Sequence, residues 1–360
     1  MSKPVLLTCL YVLGMCSIFC RGQEAASPGQ SASHDDAPST VRYLAPGETI
    51  VSPETALSFS GPFPCDADGN IYLRSGFVGA AIRKLNPKGE RVAIFQPDAN
   101  PDLEVGVAGH FAVTPDGELY LLVFARKEIS RYVFIFKKDG SYKEKIKLQP
   151  GFALMPSSLA VFSNGSMLIT GERYDHDPKD PKLPFTGIFS ADGRLLKELK
   201  LEDDAIRSKA PSTPASGAIP VGAGSQAIIR GQIESAKDGN LYVMRAMSPA
   251  VFYVISPGGE VVRRFTVDSG QGVYIPSGMH ISGSRIAVLF YSPQTMDKII
   301  KIVTTEGEEL ASYEELRADG KATKGVLGLA FACYTQRPER FTFLVSDEQH
   351  HIQLKLVEAR

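Results

Sequence analysis

Turn glycines recurring at a fixed interval constrain this chain more than any other feature. Gly69, Gly117 and Gly165 are spaced by 48 residues each. Around each lies the same short pattern, as in Asp68-Gly69-Asn70-Ile71-Tyr72-Leu73 and Asp116-Gly117-Glu118-Leu119-Tyr120-Leu121. A fourth copy centres on Gly239, one interval plus 26 residues further on, and a degenerate fifth occupies residues 279–288. Each copy reads strand, tight turn, strand. In the second, Phe111 and Val113 alternate with Ala112 and Thr114, Pro115-Asp116-Gly117 reverses the chain, and Leu119 to Val123 runs back. Glycine supplies the positive φ such a short hairpin needs.

A second hairpin follows each first one, at residues 82–90, 133–140, 187–193, 252–259 and 300–307. Two hairpins make a four-stranded antiparallel sheet. One such sheet buries too little apolar surface alone, whereas radial stacking hides both faces. The spacing therefore predicts an all-β chain, a six-bladed β-propeller of four-stranded antiparallel blades. Five blades are explicit. The sixth shows three strands, near 329–333, 341–345 and 352–356. Residues 41–44 and 49–51 are placed to supply the fourth, so the ring closes by the N-terminal strand joining the C-terminal blade, which leaves no open edge.

The last repeat, Val345-Ser346-Asp347-Glu348-Gln349-His350-His351-Ile352-Gln353-Leu354, resembles the repeat of the NHL propeller family. Pro156-Ser157-Ser158-Leu159 and Pro276-Ser277-Gly278-Met279, ahead of inner strands, are similar to that family too. The resemblance covers most of residues 56–360 and implies a fold rather than an activity. It also makes His350-His351 part of a structural turn.

Residues 1–22 read as a secretory signal: Lys3 begins it, and the apolar run from Val5 to Phe19 is short for a membrane span. Cys20 and Gly22 are small residues at −3 and −1. A lipid anchor through Cys20 is disfavoured by the bulky Phe19 before it. Residues 23–40, rich in Ala, Ser, Pro and Gly, read as a disordered linker, and 41–360 as the propeller. The expectation is an exported protein, periplasmic or extracellular, monomeric, with no transmembrane segment once processed. Lys plus Arg number 39 against 40 Asp plus Glu, which argues against nucleic acid as a partner. Trp is absent, so Phe, Tyr and aliphatic side chains must fill the core. The mature chain keeps Cys65 and Cys333. Read as equivalent inner-strand positions pointing in one rotational sense, they are expected as two buried apolar thiols rather than a bridge.

Extra residues fall at 172–184 and 202–230, both on loops that a propeller gathers on one face. Aligning the inner strands on Phe111, Leu159, Ile233 and Met279 brings His110, Gln232, Glu234 and His280 to the channel mouth, with Glu234 and His280 on adjacent blades. Arg173, Tyr174, Asp175, His176 and Arg245 join them as candidate ligand-binding residues. The leading reading is a binding or interaction scaffold, taking a protein or small-molecule ligand at this face, with no cofactor. The alternative is a metal-dependent hydrolase or lyase, with Glu234, His280 and His110 as candidate ligands for zinc or calcium. No catalytic residue can be assigned: the chain has no Gly-x-Ser-x-Gly elbow, no His-Glu-x-x-His and no phosphate loop. Ser60-Gly61-Pro62 also lacks the acidic residue that calcium-dependent propeller lactonases place there.

Overall fold

The computed structural model describes residues 41–76, 80–127, 130–174, 183–201, 231–272, 274–295, 297–315 and 330–359. All fall within one compact unit, Ser39–Arg360. Strand β1 (Val41–Thr55) is followed by blade 1, formed by β2 (Phe59–Ser60), β3 (Ile71–Ser75), β4 (Ile82–Leu85) and β5 (Arg91–Phe95). Blade 2 is β6 (Val105–Val113), β7 (Leu119–Ala125), β8 (Arg131–Phe136) and β9 (Tyr142–Lys147). Blade 3 is β10 (Ala153–Val161), β11 (Met167–Tyr174), β12 (Leu183–Phe189) and β13 (Leu195–Glu198). Blade 4 is β14 (Gly231–Ser235), β15 (Leu241–Arg245), β16 (Ala250–Ile255) and β17 (Val261–Val267). Blade 5 is β18 (Ile275–Ser282), β19 (Arg285–Tyr291), β20 (Lys298–Thr304) and β21 (Glu309–Glu315). Blade 6 takes β22 (Ala330–Gln336), β23 (Glu339–Ser346) and β24 (His351–Ala359) from the C-terminal end, with β1 as its outermost strand.

Ring closure follows the expected route and adds a contact. β1 runs antiparallel to β24, pairing Ile50 with Leu354, and its first residues also run parallel to β21, pairing Val41 with Ser312. Blades 5 and 6 are thereby joined edge to edge. Glu339 fastens the same seam: it accepts from the hydroxyls of Tyr313 and Tyr334, and from Arg285 at 2.9 Å. Among the described residues, no helix is long and apolar enough to cross a membrane.

Strand alternation explains why the sheets stack. In β15, Val243 packs with blade 3, whereas Tyr242 and Met244 pack with blade 5. Among the described residues, most buried apolar side chains fall into six clusters, one at each blade-to-blade interface. Each blade thus buries both faces, and its middle strands carry continuous apolar runs such as Ala250–Ile255. Aromatic pairs fill the interfaces in the absence of tryptophan, as in Phe252 stacked on Phe265 at 4.9 Å.

The turn glycines take the required conformation, Gly117 with φ 83°. The last repeat has no glycine there. His350 adopts φ 67° in its place and donates its N–H to the Asp347 carbonyl, as Gly69 does to Asp66.

Cys65 and Cys333 are bridged, contrary to the expectation of two separate thiols. Two local features re-aim them. Cys65 lies beyond the short inner strand β2, in an isolated bridge to Ile71. Cys333 follows a β-bulge, at which the register passes from Phe331↔Phe343 to Cys333↔Thr342. The extra residue turns Cys333 to the opposite face from Phe331, toward blade 1. The Cα atoms stand 5.5 Å apart across the junction between first and last blades.

Candidate axial site

The inner strands surround the axis, and a cavity of about 340 Å³ opens there at their leading ends. Its wall draws on five blades: Pro62 and Phe63 from blade 1, His110 from blade 2, Gln232 and Met244 from blade 4, Ser277 and Leu289 from blade 5, Phe331 from blade 6. The size and the largely apolar wall with few polar groups are those of a small-molecule site.

Glu234 and His280 are neighbours, as the alignment of inner strands predicts. His280 Nδ1 lies 2.9 Å from Glu234 Oε1, and His280 is 2% exposed. Its other nitrogen, Nε2, lies 3.1 Å from the Phe331 carbonyl oxygen of blade 6. Both ring nitrogens face acceptors, the Glu234 carboxylate on one side and the Phe331 carbonyl on the other. Glu234 also accepts from Gln232 Nε2 and, through Oε2, from the Ile281 N–H, each at 2.9 Å. Gln232 closes a two-way clasp on Met279, accepting from its N–H and donating to its carbonyl, each at 2.8 Å. Three polar side chains therefore stitch blades 4, 5 and 6 together through backbone groups. A metal held by Glu234 and His280 would have to displace these bonds. Among the described residues, no three His, Cys, Asp or Glu side chains converge as a metal-holding group.

His110 stands apart from that pair. Its Nδ1 accepts the Leu159 N–H of blade 3 at 3.2 Å. The ring keeps partial contact with the cavity, yet burial, helped by the nearby Arg74 guanidinium, pushes its pKa down to about 3. The neutral ring therefore carries its proton on Nε2, which has no protein partner among the described residues.

Arg173 and Arg245 are engaged within the protein. Arg173 pairs with Glu198 at 2.9 Å on its own blade. Arg245, 2% exposed, reaches back to Thr186 Oγ1 of blade 3 at 3.2 Å. Tyr174 ends β11 opposite Ala153. Asp175 and His176 lie outside the described residues, as do 202–230.

Arg74 is the residue that reading the sequence overlooked. It is 2% exposed and donates to the Gly109 carbonyl of blade 2 at 2.6 Å. Its guanidinium lies 5.4 Å from the centre of the Phe111 ring, while its Nε has no hydrogen-bond partner. Burial pulls its pKa down to about 10. The available signal was a lone arginine at a strand position that carries Leu122, Thr170, Met244 and Leu289 in the next four blades.

No protein-family model and no curated protein matches this chain. Among solved structures, it is similar to a protein of unknown function from Bacteroides caccae, at TM-score 0.44 and 10% identity, over 75% of this chain and 94% of that one. It is also similar to the hydrazine synthase of Kuenenia stuttgartiensis, at TM-score 0.39 and 13% identity, over 70% of this chain and 65% of that chain.

Proposed function

We propose that this protein is an exported propeller that binds a small molecule in its axial cavity, and that it is kin to the NHL-type propellers its last repeat resembles. The observation that carries the binding half is the cavity itself: about 340 Å³, apolar-walled, open on the axis, with His110 and Gln232 among its few polar groups. The Glu234–His280 pair holds blades together and is a positioning element rather than a reaction centre. The Cys65–Cys333 bridge supports export, because disulfides persist in oxidising compartments.

Absence of tryptophan provides the test. Phe63→Trp places a unique fluorophore on the cavity wall. Neutral and charged small molecules that bind there should shift its emission. Adding Ser277→Phe, which fills the cavity, should abolish the response. Binding that persists undiminished in the filled variant would place the site elsewhere and overturn the reading. Equilibration of the wild-type protein with zinc or calcium should leave its unfolding midpoint unchanged.

A further inference from the structure

One buried cation close to the cavity wall has no carboxylate against it among the described residues. On the side of blades 4 and 5, Glu234 lies against His280 at 2.9 Å. At the opposite side, Arg74 has no carboxylate within ion-pair reach among the described residues. Among the described residues, its one acceptor is a backbone carbonyl, that of Gly109. A buried cation ordinarily has a counter-charge, because removing it from water costs several kcal/mol. Arg74 does not itself line the cavity but stands beside His110, which does. Its counterparts in blades 4 and 5, Met244 and Leu289, line the wall, and it is bonded to the residue preceding His110. His110 lines the cavity and adds a donor, since Nδ1 is occupied by Leu159 and Nε2–H has no protein partner among the described residues.

Resting on the binding reading above, we propose that the ligand is a small amphipathic monocarboxylate. Its carboxylate would sit at the His110 and Arg74 end, and its apolar body against Phe63, Leu289 and Phe331. A monoanion matches the one Arg74 guanidinium, whereas a dianion would bring a second charge to an otherwise largely apolar wall. The wall away from His110 offers mainly carbon, which suits an aliphatic or aromatic body.

The matched pair 4-phenylbutyrate and 4-phenylbutanamide tests this by calorimetry on the whole chain at neutral pH. They share an apolar body and differ in charge. A charge-assisted hydrogen bond is about twice as strong as a neutral one, so the carboxylate should bind roughly tenfold more tightly than the amide. That preference should vanish in Arg74→Met with amide affinity retained. His110→Ala should also lose it and provides an independent variant if Arg74→Met fails to fold. Equal affinity for the two compounds would overturn the carboxylate assignment and leave the binding reading intact. A preference that survives both substitutions would also overturn it. Binding of neither compound would remove both.

Discussion

Breaking the Cys65–Cys333 bridge tests the closed ring most directly. The two cysteines are 268 residues apart in sequence, so the bridge ties nearly the whole propeller into one covalent loop. In the chain-entropy treatment such a loop restricts the unfolded ensemble by about 5.5 kcal/mol, at the upper end of what disulfides contribute. The folded ring has little reason to change, because β1–β24 pairing and the Glu339 cluster still close it. The perturbation is Cys65→Ser with Cys333→Ser, and the assay is equilibrium urea unfolding followed by far-ultraviolet circular dichroism. With a slope of about 3 kcal/mol/M, expected for a chain this large, the midpoint should fall by roughly 1.8 M. The slope itself should rise, since the uncrosslinked chain exposes more surface. Non-reducing mass spectrometry of the wild-type protein should find neither thiol free to alkylate. A midpoint shift equivalent to less than about 1 kcal/mol, with an unchanged slope, would refute the reasoning: either the bridge does not form in solution, or the ring does not unfold as one unit.

Three other consequences are as open to measurement. Glu234→Ala should destabilise the fold by about 3–5 kcal/mol in the same urea assay, because it strands the His280 ring and the Ile281 N–H inside the protein; a cost near zero would mean that the blade 4–5 stitch contributes nothing. His110 has a folded pKa near 3 against an ordinary 6.5, so the stability it contributes is complete above pH 6.5 and drains away as pH falls toward 3. Between pH 7 and pH 5 that loss has a ceiling of about 2 kcal/mol, and His110→Gln should flatten the slope; an identical pH profile in the variant would sink the assignment. His350→Gly should raise stability by about 1 kcal/mol by relieving the left-handed conformation of the last hairpin, while His350→Ala should not; equal effects of the two would show that the turn is unstrained.

Much of the fold was legible because its determinants are local. A glycine at φ 83° after Pro115-Asp116, with alternation on either side, is a hairpin whatever surrounds it. Repetition of that hairpin fixes how many sheets must be stacked, and the shortfall of one strand at the C-terminal end indicates what β1 is for. The neighbourhood of Glu234 and His280 was legible for the same reason, since equivalent positions in adjacent repeats lie side by side. Other features depended on geometry that no local pattern carries. The bulge at Cys333 reverses its face and makes a disulfide from two cysteines that would otherwise point apart. Arg74 reads as an ordinary strand arginine until the register places it against Gly109 of the next blade, with no acidic partner among the described residues. Turn chemistry and strand alternation act over a few residues, so the chain alone dictates the blades. The charge balance at the axis is a sum over strands that meet only when the ring closes, and tertiary structure alone decides it.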